Sequence, residues 1–214
     1  MTAFFFKGVP DFRMNGFCAV RDTLDNLENI LQLAELVNTC GHCKLEDYQE
    51  DFDFVIFSGD YCRALIKKSD GYFSMTIPFQ IIDDGSRVYF NYDLIAEEVG
   101  GIFISILRNA ILTCQGGVHS HEEIICSLVD SFGLSVTEAI PYYDAFATLL
   151  MDDHGYFRFD DDLKNEKGKI HPRYHFDFFF KNTSSIKIGF DTPVNIECFY
   201  SLFDGTVPKH YLRI

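Results

Sequence analysis

Phe157-Arg158-Phe159-Asp160, Arg173-Tyr174-His175-Phe176-Asp177-Phe178 and Ser185-Ile186-Lys187-Ile188 decide the fold class, because each segment alternates between an apolar or aromatic side chain and a polar one. Successive side chains of a strand point to opposite faces. Phe157, Phe159, Tyr174, Phe176, Phe178, Ile186, Ile188 and Phe190 therefore fall on one side, and Arg158, Asp160, Arg173, His175, Asp177, Ser185 and Lys187 on the other. Strands over 156–160, 173–180 and 185–190, the last two joined by a turn at 181–184, make a C-terminal three-stranded antiparallel unit with one apolar and one wet face. A short helix over 193–203 and a terminal strand over 211–214 complete this part of the chain.

Upstream, Leu24, Leu27, Ile30, Leu31, Ala34 and Val37 recur at intervals of three and four, which predicts an N-terminal amphipathic helix over 22–40 with Gly41 as a left-handed stop. Strands follow over 52–57, 62–67, 72–82 and 87–92. Asp70-Gly71 and Asp84-Gly85 sit between them as tight-hairpin signals that ask for positive φ at both central residues. The central segment is helical: 94–112, 121–132 and 141–151, the last with Pro141 in its first turn, in competition with a Ser135-x-x-Glu138 capping box. The fold class is α+β. The expected organisation is a single domain over 1–214, with sub-structure at 1–92, 93–152 and 153–214.

The 214 residues carry 18 basic and 32 acidic side chains, a net charge of −14, with 23 Phe, 11 Tyr and no Trp. Such a chain buries a large core of rings, and its charge disfavours nucleic acid as a partner. Seven scattered cysteines form an odd set that reads as reduced thiols. The apolar run at the start is far shorter than the roughly 7 to 15 residues of a signal core. The run Val99–Leu107 stops at Arg108, short of the ~20 residues a membrane span needs. The expectation is a cytoplasmic protein with no membrane association.

If the three C-terminal strands are neighbours, their polar groups converge, since cross-strand Cβ atoms lie about 4.5 to 5.5 Å apart. Arg158, Arg173, His175 and Asp177 then form one ion-paired patch with His171 at its edge. A wet sheet face needs no function beyond solubility. The functional alternative rests on an imidazole beside a carboxylate and several cations: His175, Asp177, Arg173, Arg158 and His171 as catalytic candidates, and Lys187, Ser185 and Asp160 as substrate-binding ones.

Phe157-Arg158-Phe159-Asp160 followed by His171-Pro172-Arg173-Tyr174-His175-Phe176-Asp177 resembles uncharacterised prokaryotic families whose C-terminal half carries an Arg-x-Asp strand and then an HPxYHxH or HPxYHxD strand. The resemblance covers about residues 155–204, including an apolar strand and a helix beginning near Pro193. It implies a mobile-element, toxin–antitoxin or phage-defence setting. Many such relatives place a second His where this chain has Asp177.

Weaker signals carry less. Cys40-Gly41-His42-Cys43 has half a zinc spacing with no second pair, and His119-Ser120-His121-Glu122 falls at a helix start. Neither a metal nor a cofactor is assigned. There is no GxxxxGK[ST], no GxGxxG opening a helix, no HExxH and no GxSxG, which argues against P-loop and serine-hydrolase chemistry. The leading expectation is an accessory bacterial protein that binds a partner with a basic surface through its acidic surface and the polar sheet face. One alternative is a metal-independent ribonuclease-like toxin using His175 and Asp177 with Arg158 and Arg173. Another is an acidic inhibitor of a nucleic-acid-binding enzyme.

Overall fold

The computed structural model describes residues 1–46, 50–152, 155–178 and 186–209. Among them run ten strands and six α-helices in the order β1 (Thr2–Phe6), α1 (Asp11–Met14), α2 (Thr23–Thr39), β2 (Phe54–Ser58), β3 (Arg63–Lys68), β4 (Gly71–Thr76), β5 (Gln80–Asp83), β6 (Val88–Tyr92), β7 (Glu97–Glu98), α3 (Gly101–Gln115), α4 (His121–Phe132), α5 (Val136–Met151), β8 (Phe157–Asp161), β9 (Tyr174–Phe178), β10 (Ile186–Phe190) and α6 (Ile196–Phe203). The chain is α+β with antiparallel sheets. No helix is long and apolar enough to cross a membrane among the described residues.

The chain groups into two compact units, each assembled from separated segments. The first comprises Met1–Pro10, Cys43–Ile77 and the described residues from 155 onward. It is built on a seven-stranded sheet in the order β1-β2-β3-β4-β8-β9-β10, antiparallel at every pairing. The C-terminal three strands are thus one end of a larger sheet, joined to it where Tyr72 pairs with Phe159 and Ser74 with Phe157.

One face of this sheet carries Phe5, Val55, Phe57, Leu65, Phe157, Phe159 and Phe176, and α6 closes over it with Ile196, Phe199 and Phe203. Rings meet edge to face, Phe157 with Phe176 at 5.5 Å and Phe57 with Phe203 at 5.1 Å. Each such pair contributes about 0.5–1.5 kcal/mol beyond the area it buries. The aromatic half of the alternation therefore goes into a core, as parity requires. On the opposite face, β1 to β4 carry buried apolar side chains, among them Phe6, Phe54, Ile56, Ile66, Phe73 and Met75. Across β8 to β10 the same face turns charged.

The second unit comprises Asp11–His42 and residues 78–152 as described. It holds α2, the three-stranded sheet β5-β6-β7 and helices α3 to α5. Asp22 caps α2, its side chain accepting from the Asp25 N–H. Arg108 ties α3 to α2, its guanidinium reaching Glu28 at 2.8 Å, Gln32 at 2.9 Å and Glu35.

Several local expectations need correction. The strand expected over 72–82 is two strands in different sheets, since Pro78 between them has no N–H for a ladder. The helix expected from 94 starts at Gly101, after a turn and the short β7, with Gly100 as its N-cap. The Ser135 capping box prevails over Pro141, so α5 starts at Val136 and holds the proline inside. Gly41 opens a 3-10 turn instead of adopting a left-handed stop. At the two hairpins only the glycines, Gly71 at +140° and Gly85 at +84°, have positive φ, not both central residues. β1 and α1 had no counterpart in the sequence reading. The expected turn at 181–184 and terminal strand at 211–214 lie outside the described residues.

Candidate functional site

Sheet register builds the site in two rows. Phe73, Arg158, Asp177 and Lys187 stand opposite one another across β4, β8, β9 and β10, and in the next row stand Gly71, Asp160, His175 and Gly189. Five polar side chains from three strands thus share one face, as the alternation predicts.

They are bound to each other. The Arg158 guanidinium lies 2.9 Å from Asp177 Oδ2 and 3.1 Å from Asp160 Oδ2. Lys187 Nζ donates to Asp177 Oδ1 at 2.6 Å and lies 2.8 Å from His175 Nε2. His175 Nδ1 is 2.8 Å from the carbonyl oxygen of Pro172. A carbonyl only accepts, so Nδ1 carries the proton. An ammonium only donates, so Nε2 presents its lone pair to Lys187. Two cations and two carboxylates surround this neutral imidazole, and their formal charges cancel.

The loop between β8 and β9 closes the cluster. Asp162 holds it, accepting from the Asn165 backbone at 3.1 Å and standing 3.1 Å from His171 Nε2, while its own N–H donates to the Arg173 carbonyl at 2.8 Å. His171 brings its ring 5.0 Å from that of His175. Pro172 then lies over Gly189, so close that a Cβ there would meet Pro172 Cγ at 2.5 Å. As a result His175 is fully buried and Asp177 is 3% exposed.

The carboxyls respond differently. Burial pushes Asp177 up, but hydrogen bonds from Lys187 and Arg158 outweigh it and hold the group below its ordinary range. Burial dominates at Asp160 and, with the neighbouring Asp177 charge, raises it against the pull of Arg158. For Arg158 burial acts downward, yet Asp160 and Asp177 raise it overall.

Of the sequence-derived candidates, Arg158, Asp160, His175, Asp177 and Lys187 meet, and His171 stands at the edge as expected. Arg173 does not join them. It precedes β9, and its guanidinium grips Asp161 with Nε at 2.6 Å and a second nitrogen at 3.1 Å, over the Tyr174 ring at 4.7 Å. Period-two parity fails there because residue 173 belongs to the loop, not the strand. Ser185 lies outside the described residues. Sequence reasoning missed Pro172 and Gly189 as the closing pair, although a lone glycine inside the alternating Ile188-Gly189-Phe190 signals close backbone approach.

Among the described residues, Asp160, His175 and Asp177 are the one group of three or more such ligands whose atoms converge. In the second unit His121 pairs with Glu122 at 3.0 Å. All seven cysteines are free thiols. A pocket of about 590 Å³ opens beside the cluster, between the loop and the ends of β9 and β10, lined by Lys169, Pro172, Arg173, Tyr174, Phe190 and Asp191 among others. No protein-family model matches the chain, and comparison with curated proteins and with solved structures finds no match.

Proposed function

We propose that this chain is an accessory, partner-binding protein of a bacterial defence or toxin–antitoxin-type system, and that its partner presents a basic surface. One observation carries the choice of binding over turnover: the group that would have to do chemistry is internally neutralised and His175 is closed off. A general base must come within hydrogen-bond reach of the proton it takes. The Nε2 lone pair of His175 instead faces Lys187, and its other nitrogen is committed to Pro172. The net charge of −14 favours a basic protein as the partner and speeds its association. The defence-type setting rests on the resemblance of the 155–204 segment alone.

A second reading, the metal-independent ribonuclease-like toxin, draws on a different observation. Arg158, Asp160 and Lys187 keep part of their side chains at the surface, so the cluster has a reachable edge. Opening of the Pro172 loop would then free His175 for proton transfer while Arg158 and Lys187 hold a phosphate. Arg173, committed to Asp161, plays no part in it.

Expression of the wild type and of His175→Ala in a bacterial host separates the two. Partner binding predicts equal growth of both strains. Arrest by the wild type that His175→Ala relieves would contradict it and favour the toxin. If the partner purified from the native host is a nucleic-acid-binding enzyme that loses activity in the complex, the role is that of an acidic inhibitor.

A further inference from the structure

One ligand atom each from Asp160, His175 and Asp177 lies within 4.8 Å of the others. His175 Nε2 is 3.8 Å from Oδ2 of Asp160 and 3.8 Å from Oδ2 of Asp177. A triangle with sides between that length and 4.8 Å has its centre about 2.2 to 2.8 Å from its corners, near the roughly 2.0 to 2.2 Å at which imidazole nitrogen and carboxylate oxygen hold a divalent ion. The imidazole is also prepared for the task. Its Nδ1–H donates to the Pro172 carbonyl, the outer contact that fixes the tautomer of metal-binding histidines and turns Nε2 inward.

Two cations already hold these atoms: one Arg158 nitrogen lies 2.9 Å from Asp177 Oδ2 and 3.1 Å from Asp160 Oδ2, and Lys187 takes the imidazole side. Lys187 Nζ reaches both His175 Nε2, at 2.8 Å, and Asp177 Oδ1, at 2.6 Å. Its side chain is 27% exposed and ends a flexible four-carbon stem, so the ammonium can leave for solvent without moving the strand.

We propose that Asp160, His175 and Asp177 form a binding site for a divalent transition-metal ion, in which the Lys187 ammonium on the imidazole side and the Arg158 guanidinium on the carboxylate side are the ion's competitors. One imidazole and two carboxylates suit Zn²⁺ or Mn²⁺, whereas Mg²⁺ and Ca²⁺ prefer oxygen alone. An incoming ion must displace the ammonium from His175 Nε2 and draw both Oδ2 atoms from Arg158, so the wild type binds weakly. Occupancy sends Lys187 outward and changes the face that the closed cluster presents.

Calorimetric titration of chelator-treated protein with Zn²⁺ and Mn²⁺ tests this on the wild type, Lys187→Met and the double variant His175→Gln/Lys187→Met. The expected result is one ion per chain, bound at least tenfold more tightly by Lys187→Met than by the wild type and at least tenfold more weakly again by the double variant. Equal affinity of Lys187→Met and the wild type would overturn the proposal. So would a double variant that binds as Lys187→Met does, because the ion would then sit elsewhere. Should Lys187→Met not fold, Zn²⁺ titration of the wild type followed at the His175 Nε2 resonance carries the same decision. A shift that Asp160→Asn weakens supports the site, and an unmoved resonance at saturating Zn²⁺ refutes it.

Discussion

Asp160 and Asp177 are two carboxylates on one sheet face with opposite thermodynamic signs. Asp177 is titrated down, so the folded state holds its proton less tightly than the unfolded chain does. Its stabilisation is full above the unfolded value and disappears as pH falls through the lower folded one. Asp160 is titrated up, so its ionised form opposes folding, and stability from this group falls as pH rises through the raised value. Urea unfolding at neutral pH should therefore show Asp177→Asn destabilised by about 3 kcal/mol, because it takes from Lys187 its carboxylate partner and leaves Arg158 with Asp160 alone. Asp160→Asn should cost under about 1 kcal/mol or stabilise, since Arg158 keeps Asp177. Equal losses in the two variants would contradict this division. Gly189→Ala tests the closure: its Cβ would meet Pro172 Cγ at 2.5 Å, and a cost of about 1–3 kcal/mol with faster exchange of the His175 ring protons is expected. At this scale parity alone placed Arg158, Asp160, His175, Asp177 and Lys187 together. What parity does not contain is where a strand starts, and Arg173 was misplaced for that reason. Nor does it contain the fold-back of a loop, which is why the burial of His175 was not legible.

Elements were legible where their signals were local and unopposed. Helix α2 has an apolar stripe and the Asp22 cap, and α4 has Ser120 before it and Gly133 after it at +67°. Competing signals gave the errors. In α5 the reciprocal bonds of Ser135 and Glu138, with the Ser135 N–H donating to Glu138 at 2.8 Å, start the helix five residues before Pro141. Pro141 then leaves the Thr137 carbonyl without its usual helical donor. Ser135→Ala should accordingly lower stability by about 1 kcal/mol, measured by denaturant unfolding. No loss would mean that the helix starts elsewhere. Pro78 is the second case: the apolar positions Phe73, Met75, Ile77, Phe79 and Ile81 keep their alternation across it, yet a missing N–H ends one ladder and lets the next begin in another sheet. Pairing of β4 with β8 lay beyond any window of sequence, because it joins residues more than eighty positions apart.

For the molecule as a whole, 32 acidic against 18 basic side chains are the ground on which a basic partner is proposed. Binding to a basic partner should weaken steeply as salt is raised and should survive His175→Ala, as read by titration at several NaCl concentrations. Binding insensitive to salt would sever the link between charge and function. The α+β class and the polar sheet face followed from composition and alternation. The grouping of the first strand with the C-terminal strands into one unit did not, since sheet order is set by pairings that no local pattern encodes. The His175 ring is shut inside a charge-balanced cluster with Nε2 held by Lys187, and its chemistry depends on that closure. The most direct measurement is the ¹⁵N spectrum of the imidazole in uniformly labelled protein at neutral pH. A single Nδ1–H tautomer whose Nε2 signal shifts in Lys187→Met is expected; an Nε2–H tautomer, or a ring in fast exchange between the two, would contradict a ring held by Lys187.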